Sequence, residues 1–568
     1  MKLSRRDFVK GVGAGAALTG LSSGLAPGPE TAEAAATALP STMPLTPTAK
    51  QTVKRKVSAA SEAPPEDPLV RKTVQVAENM EPVIPHPEQD GETQKKLTEL
   101  EKKTGKKPNI LVFIMDNIGF GDPGIYGGGL LVGAPTPNMD RLGREGLQLL
   151  STYSQPSCTP SRCTLLTGRL PMRHGQLRPV LPGESGGLGN EVTVAQVLSK
   201  AGYTTQLVGK WHCGENKESQ PQNVGFDDFY GFLGWSGLYT DWRDPETLPE
   251  FALSPARQAL AQSLPFNKNV VHAAKGAELE NLEEITEEVS AELDDKFAAY
   301  STEFIKRMAG SDKPFFLYHG TRGGHFKNYP NPKFRGKSPA RYPYKDMIVE
   351  VDDVLGRLVK ALEETGQLEN TLIFVTSDNG PHTECWPDAG YSPFRGGIGG
   401  TWEGSVRVPG IVYWKGMIGP GRVSDGLFDL ADLFNTSIAL AGVEYEPPKD
   451  RYLDGINQAS FLLADAGESN RKYIYYWLGD VFAGARVAEY KIVLAGMSDN
   501  DADVVCPGSG TTLQEYKNGK AFNLYLDPHE QHSFLNRQTF LDAVLLDPLQ
   551  AHRATFVKYP PKAQSGKG

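Results

Sequence analysis

Two acid-amide dipeptides, Asp116-Asn117 and Asp378-Asn379, each follow a continuous apolar run, NILVFIM and NTLIFVTS. Their four oxygen donors suit a hard cation, calcium with magnesium as the alternative, and serve zinc poorly. Singly, an Asp-Asn pair is an ordinary turn; repeated at two strand ends, it implies a metal site. A third apolar run ends in Gly209-Lys210-Trp211-His212, and a fourth leads from His319 through Arg322 to His325. One histidine is usually structural, but two at strand ends beside cations describe a site that transfers an anionic group. In Cys158-Thr159-Pro160-Ser161-Arg162, Pro160 suits the first turn of a helix, which places Cys158 just before exposed backbone N–H groups. On residue type alone Cys158 is either a low-pKa thiolate nucleophile or a buried cysteine with no chemistry. Zinc binding by Cys158, Cys163, His212 and Cys213 fails on spacing.

These residues need elements that bring them together. NILVFIMDN, TTQLVGKWH, KPFFLYHG and NTLIFVTSDNG read as strands buried on both faces. Between them lie PNMDRLGRE after Thr136, VAQVLSKA capped by Thr193, and a long amphipathic helix from about Asp346 to Glu364. Helices alternating with buried strands predict an α/β fold, doubly wound around a mainly parallel central sheet whose strand C-termini share one ligand-binding edge. Residues 107–465 are expected to form this catalytic domain, and 466–568 a smaller C-terminal α+β domain in which RKYIYYWLG and ARVAEYKIVLAG pair antiparallel. The stretch 241–313 reads as loop and then helix, an insertion near a substrate entrance. Residues 35–106 are Pro-, Ala- and charge-rich and read as an arm or linker, with one exposed helix in TQKKLTELEKKTGKK.

The 568 residues are 39% hydrophobic with a formal charge of −9, which argues against a nucleic-acid partner and gives no long-range attraction for polyanions. MKLSRRDFVK, a Gly-rich apolar stretch and Ala32-Glu33-Ala34 resemble a twin-arginine signal over 1–34, with the mature chain starting near Ala35. That route exports folded proteins by the twin-arginine machinery to the periplasm or beyond, and it suits an enzyme modified or metal-loaded first. No later segment approaches a membrane span. The cysteines number five, Cys158, Cys163, Cys213, Cys385 and Cys506; if Cys158 does chemistry, pairing of the other four stays open.

CTPSRCTLLTGR is similar to the signature of the type I, formylglycine-dependent sulfatases of the alkaline phosphatase superfamily, and the resemblance runs from Lys107 to about Asn536 through MDN, GKWH, SDNG, FRGGIGGTWEGSVRVPG and FNLYLDPHEQHSFLN. It implies hydrolysis of an aryl or carbohydrate sulfate ester, with Cys158 oxidised to formylglycine by a maturation enzyme. One divalent cation would be held by Asp116, Asn117, Asp378, Asn379 and hydrated residue 158. Arg162 would fix the hydrate and the ligands, and Lys210 the hydrate and a sulfate oxygen. His212 would collapse the sulfated hemiacetal, and His325 would protonate the departing alcohol.

Two positions depart from the family pattern. Asn117 stands where Asp is usual, and Ile398 where a Lys ordinarily contacts sulfate and leaving oxygen. Compensation by Arg322 or Lys327, a different substrate, or binding without turnover are the resulting readings. A phosphodiesterase or phosphonate monoester hydrolase is the enzymatic alternative, and a silent sulfate-ester-binding protein the non-enzymatic one. Trp235, Trp242 and Trp386 are candidates for lining the substrate pocket or for packing.

Overall fold

The computed structural model describes residues 67–561 except 182, 185, 384–388, 498–512 and 535–540; the twin-arginine segment, Cys385, Trp386 and Cys506 lie outside the described residues. The chain builds a large mixed sheet from β1 (Asn109–Met115), β2 (Leu147–Tyr153), β3 (Thr204–Lys210), β4 (Asp228–Phe232), β5 (Asn269–Ala274), β6 (Glu280–Glu284), β7 (Phe315–Gly320), β8 (Thr371–Ser377), β9 (Arg407–Tyr413), β10 (Arg422–Ser424) and β11 (Phe428–Asp429). Its order is β10-β2-β9-β8-β1-β7-β3-β4-β5-β6, with β11 also on β2. The centre, β8-β1-β7-β3-β4, is parallel, and β9 and β5 join it antiparallel on either side. The mainly parallel sheet expected from the sequence is therefore its middle.

Every residue of β1, β7 and β8 is buried, which is why these strands read as mostly apolar runs without alternation. The helices Leu293–Met308 and Pro343–Glu364 pack against each other on one face, with Phe297, Ile305, Val351, Leu355 and Leu358 in the core. The helices Cys158–Thr167, Val194–Lys200 and Asp432–Leu440 cover the other. Among the described residues no helix is long and apolar enough to cross a membrane.

Three expectations need correction. The stretch 241–313 contributes two strands, β5 and β6, besides helices; β6 is the acidic edge segment ENLEE, whose exposed side chains carry no hydrophobic pattern. From residue 67 the supposed arm lies on the body: Glu81 N–H donates to Leu453, and in the helix Pro87–Thr104 Lys96 donates to the Leu463 carbonyl while Leu100 enters the core. ARVAEYKIVLAG is a hairpin and not one strand, turning at Ala488-Glu489 between β13 (Val481–Val487) and β14 (Tyr490–Met497). With β12 (Tyr473–Leu478) and β15 (Leu513–Asn523) they form a separate antiparallel sheet.

A buried ionic knot joins this sheet to the large one. Glu403 accepts from Tyr153 Oη at 2.6 Å and Lys491 Nζ at 3.0 Å, and Lys491 also pairs with Glu530 at 2.7 Å. Burial pushes the Glu403 carboxyl up, but Lys491, Arg407 and Arg486 outweigh it and hold the group below its ordinary 4.5. Its contribution to stability is thus fully present above about pH 4.5 and is lost as the pH falls through the depressed value. Glu403→Ala removes one buried carboxylate shared by Lys491, Arg407 and Arg486, leaving Glu530 as the acid on Lys491, and is expected to cost about 3–5 kcal/mol at neutral pH, measured by urea unfolding.

Candidate active site

The C-terminal ends of β1, β3, β7 and β8 meet at one edge, as the strand register requires. Asp378 N–H donates to the Met115 carbonyl at 3.1 Å, Asn117 N–H to Asp378 Oδ1 at 3.1 Å, and Asn379 Nδ2 to Asn117 Oδ1 at 2.5 Å. These bonds draw the two acid-amide pairs into one cluster, every member fully buried. Asn117 and His212 both take left-handed backbone conformations, φ 57° and 56°, at the ends of their strands, a concentration of strain usual at functional sites. Gly324, at φ 107°, lets the loop before His325 approach Asp116: a Cβ there would lie 2.0 Å from the Asp116 carbonyl oxygen.

Cys158 is the first residue of the helix Cys158–Thr167, with Ser157 as its N-cap, one place further into the helix than the sequence suggested. Its thiol lies 3.5 Å from Asn117 Oδ1 and 3.8 Å from Asp116 Oδ1. One ligand atom each from Asp116, Cys158 and Asp378 lies within 4.8 Å of the others. Although Cys158 is only 2% exposed, its Sγ faces carboxylates and amides and not the apolar core. Burial first, then Asp378 and Asp116, push the thiol well above its ordinary value, which argues against the thiolate reading.

Two cations neutralise the carboxylates. Lys210 Nζ donates to both Asp116 oxygens at 2.8 Å. Arg162 reaches Asp378 Oδ2 through Nε at 2.9 Å and Nη2 at 2.8 Å, and its Nη1 donates to the Lys210 carbonyl at 3.1 Å and Tyr318 Oη at 3.2 Å. His212 and His325 both have pKa values driven well below 6.5 by burial and then by Lys210. His325 Nδ1 stands 2.5 Å from the Phe326 carbonyl, which assigns the proton to Nδ1 and leaves Nε2 as the basic nitrogen.

Ile398 is buried on a segment tied by its backbone to the loops that follow Asn379 and precede Cys158. Its N–H donates to the Pro381 carbonyl at 2.8 Å while Gly399 N–H donates to Pro156, just before the helix Cys158–Thr167, at 2.6 Å. Compensation by Lys327 does not fit, because its ammonium is held by Asp244 at 2.6 Å and Glu246 at 2.7 Å. Arg322 spends Nε on Ser290 at 2.9 Å and Nη2 on the Lys327 carbonyl at 2.5 Å, and only Nη1 lacks a partner. The sequence reading missed His382, whose ring centroid lies 5.0 Å from that of His325; its place three residues beyond Asn379 was the available signal. Trp242 is buried under Arg243, whose guanidinium lies 3.9 Å from the ring centroid, and is a packing anchor, whereas half-buried Trp235 stands 5.6 Å from the His212 ring. Cys163 and Cys213 are free and lie in the core.

A family model described as Sulfatase matches residues 108–443. The chain is 33% identical to N-acetylgalactosamine-6-sulfatase of Canis lupus familiaris, covering 80% of this chain and 87% of that protein. It is 34% identical to arylsulfatase A of Homo sapiens, covering 76% and 84% respectively. The crystal structure of PsFucS1 sulfatase from Pseudoalteromonas sp. superposes with a TM-score of 0.83 at 42% identity, over 87% of this chain and 99% of that one.

Proposed function

Because this chain belongs to the sulfatase family and hydrolyses sulfate esters, we propose that it does so with formylglycine at position 158 and one divalent cation, calcium with magnesium the alternative. The observation that carries this reading is the meeting of Asp116, Asn117, Asp378 and Asn379 around Cys158. The donors fit such an ion: they are oxygens throughout, and buried Asn379 Oδ1 has no hydrogen-bond partner among the described residues. When bound, the cation would polarise the ester, and the hydrated aldehyde would offer one hydroxyl for attack and a second for expelling sulfate.

The remaining work falls to the chain's own groups. Lys210 and Arg162, both buried, hold the hydrate and a sulfate oxygen against the cluster. His212 accepts the proton of the second hydroxyl, for which a neutral, pKa-lowered imidazole is suited. His325 takes a proton from solvent on Nε2 when the anionic ester arrives and delivers it to the departing alcohol oxygen. Substrates are aryl or carbohydrate sulfates, in keeping with relatives named for each. A maturation enzyme oxidises Cys158 before twin-arginine export, and the mature enzyme works in the periplasm or outside the cell.

The test compares aryl, steroid and carbohydrate sulfates with a phosphate diester of the same phenol. Sulfate turnover should exceed that of the diester; the reverse ranking points to the phosphodiesterase alternative. In His325→Ala the loss should grow from about threefold for activated phenols to about 10³-fold for poor leaving groups. A loss equal across the series contradicts the assigned proton transfer.

A further inference from the structure

We propose that Asp294 is a positioning residue for the reaction: it fixes the turn that carries His325 and acts on the ester only through that imidazole. This rests on the proton transfer assigned to His325 above and deepens it.

Asp294 lies in the first turn of the helix Leu293–Met308, where an acid ordinarily faces water and complements the helix dipole. Here it is 1% exposed, and both of its oxygens are turned to another segment. Oδ1 accepts from Arg322 N–H at 2.8 Å and Oδ2 from Gly323 N–H at 2.7 Å. Two successive N–H groups converging on one anion form a nest, and the carboxylate sets the direction of both peptides. Gly323 completes the seat. A Cβ there would come within 2.9 Å of Asp294 Oδ2 and 2.4 Å of Met347 Cε, so the turn rests directly on the two packed helices.

The turn is also held on either side of the nest. Thr321 N–H donates to the Ile114 carbonyl of β1 at 3.0 Å, and Gly324 lies against the Asp116 carbonyl. His325 follows at once. Between these two contacts the peptides at 322 and 323 take their direction from Asp294. Well beyond His325 on the same loop, Asp346 makes a second clamp of the same kind, through Gly336 N–H at 2.7 Å and Ser338 N–H at 2.8 Å. The two carboxylates therefore make equivalent bonds at different distances from the chemistry.

An imidazole that must hand a proton to one oxygen depends on its placement, and a displacement of about 1 Å costs on the order of 10²-fold. Removing Asp294 leaves two buried N–H groups without their acceptor, and the turn must shift to pair them.

The experiment uses the matured full-length enzyme and a series running from 4-nitrophenyl sulfate through phenyl sulfate to an alkyl sulfate. Asp294→Ala should lower kcat/KM by less than about threefold on 4-nitrophenyl sulfate and by about 100-fold on the poorest leaving group. The double variant Asp294→Ala/His325→Ala should fall within about twofold of His325→Ala alone, because a residue that acts through another adds nothing once the other is gone. Asp294→Asn, which keeps one acceptor, should lie between wild type and Asp294→Ala, and it carries the same test where the alanine variant does not fold. Asp346→Ala is the structural control, expected to lower the unfolding midpoint without steepening the leaving-group dependence. Equal losses across the series in the Asp294 variants, losses that multiply in the double variant, or the same steepening in Asp346→Ala each overturn the inference and leave the sulfatase reading intact. If His325→Ala itself loses activity equally across the series, the assigned proton transfer falls and this inference with it.

Discussion

Cys158→Ala is expected to lower kcat by at least about 10⁴-fold, and Cys158→Ser to give at most one turnover, after which sulfate remains attached to residue 158. The difference follows from the number of hydroxyls. Serine has one oxygen to attack sulfur and no second hydroxyl on the same carbon to expel the product, whereas alanine cannot begin. Unmodified wild type should resemble alanine: its thiol is buried beside Asp378 and Asp116, which oppose ionisation, and a neutral thiol is a poor nucleophile. Mass spectrometry of the peptide containing residue 158 checks all three forms. Protein made with the maturation enzyme should show an aldehyde in place of the thiol, protein made without it an intact thiol and no activity, and the serine variant a stable sulfate adduct. Full activity in a preparation whose residue 158 is entirely thiol sinks the proposal.

The parts of this architecture legible in the sequence are those where burial is complete. β1, β7 and β8 are buried from end to end and mostly apolar because helices cover both faces, and their register brings Asp116 and Asp378 together without any signal beyond the repeated dipeptide. β6 was illegible because an exposed edge strand of Glu and Asn has no pattern to read. β9, RVPGIVY, was hidden by Pro409, which breaks the run that a central strand normally shows. Within the site, residue type singled out the groups that the fold brings together, since carboxylate, ammonium and imidazole announce their chemistry. It could not single out His382, which only the fold sets beside His325. Lys327 shows the converse: it flanks His325 in sequence, yet Asp244 and Glu246, more than eighty positions away, claim its charge.

The charge balance of the cluster sets the second large effect. Asp116 and Asp378 are matched by Lys210 and Arg162, so the four groups sum to zero without a cation. The protein should therefore stay folded when metal is withdrawn, and a chelator should abolish activity while lowering the unfolding midpoint only slightly. With Asn117 contributing no charge, binding should be weak enough for ready removal, and calcium or magnesium should restore turnover. Asp378→Ala must behave differently. It removes a proposed metal ligand and also takes from the fully buried Arg162 guanidinium the carboxylate to which it donates at 2.8 and 2.9 Å, leaving Asp116 at 4.0 Å. The expected result is loss of activity that added cation does not rescue, together with destabilisation of about 3–5 kcal/mol in urea unfolding. The chelated wild type is the control that separates the two causes. If chelation unfolds the protein as severely as the substitution does, then the arginine and lysine do not balance the carboxylates in solution, and the cation is structural as well as catalytic.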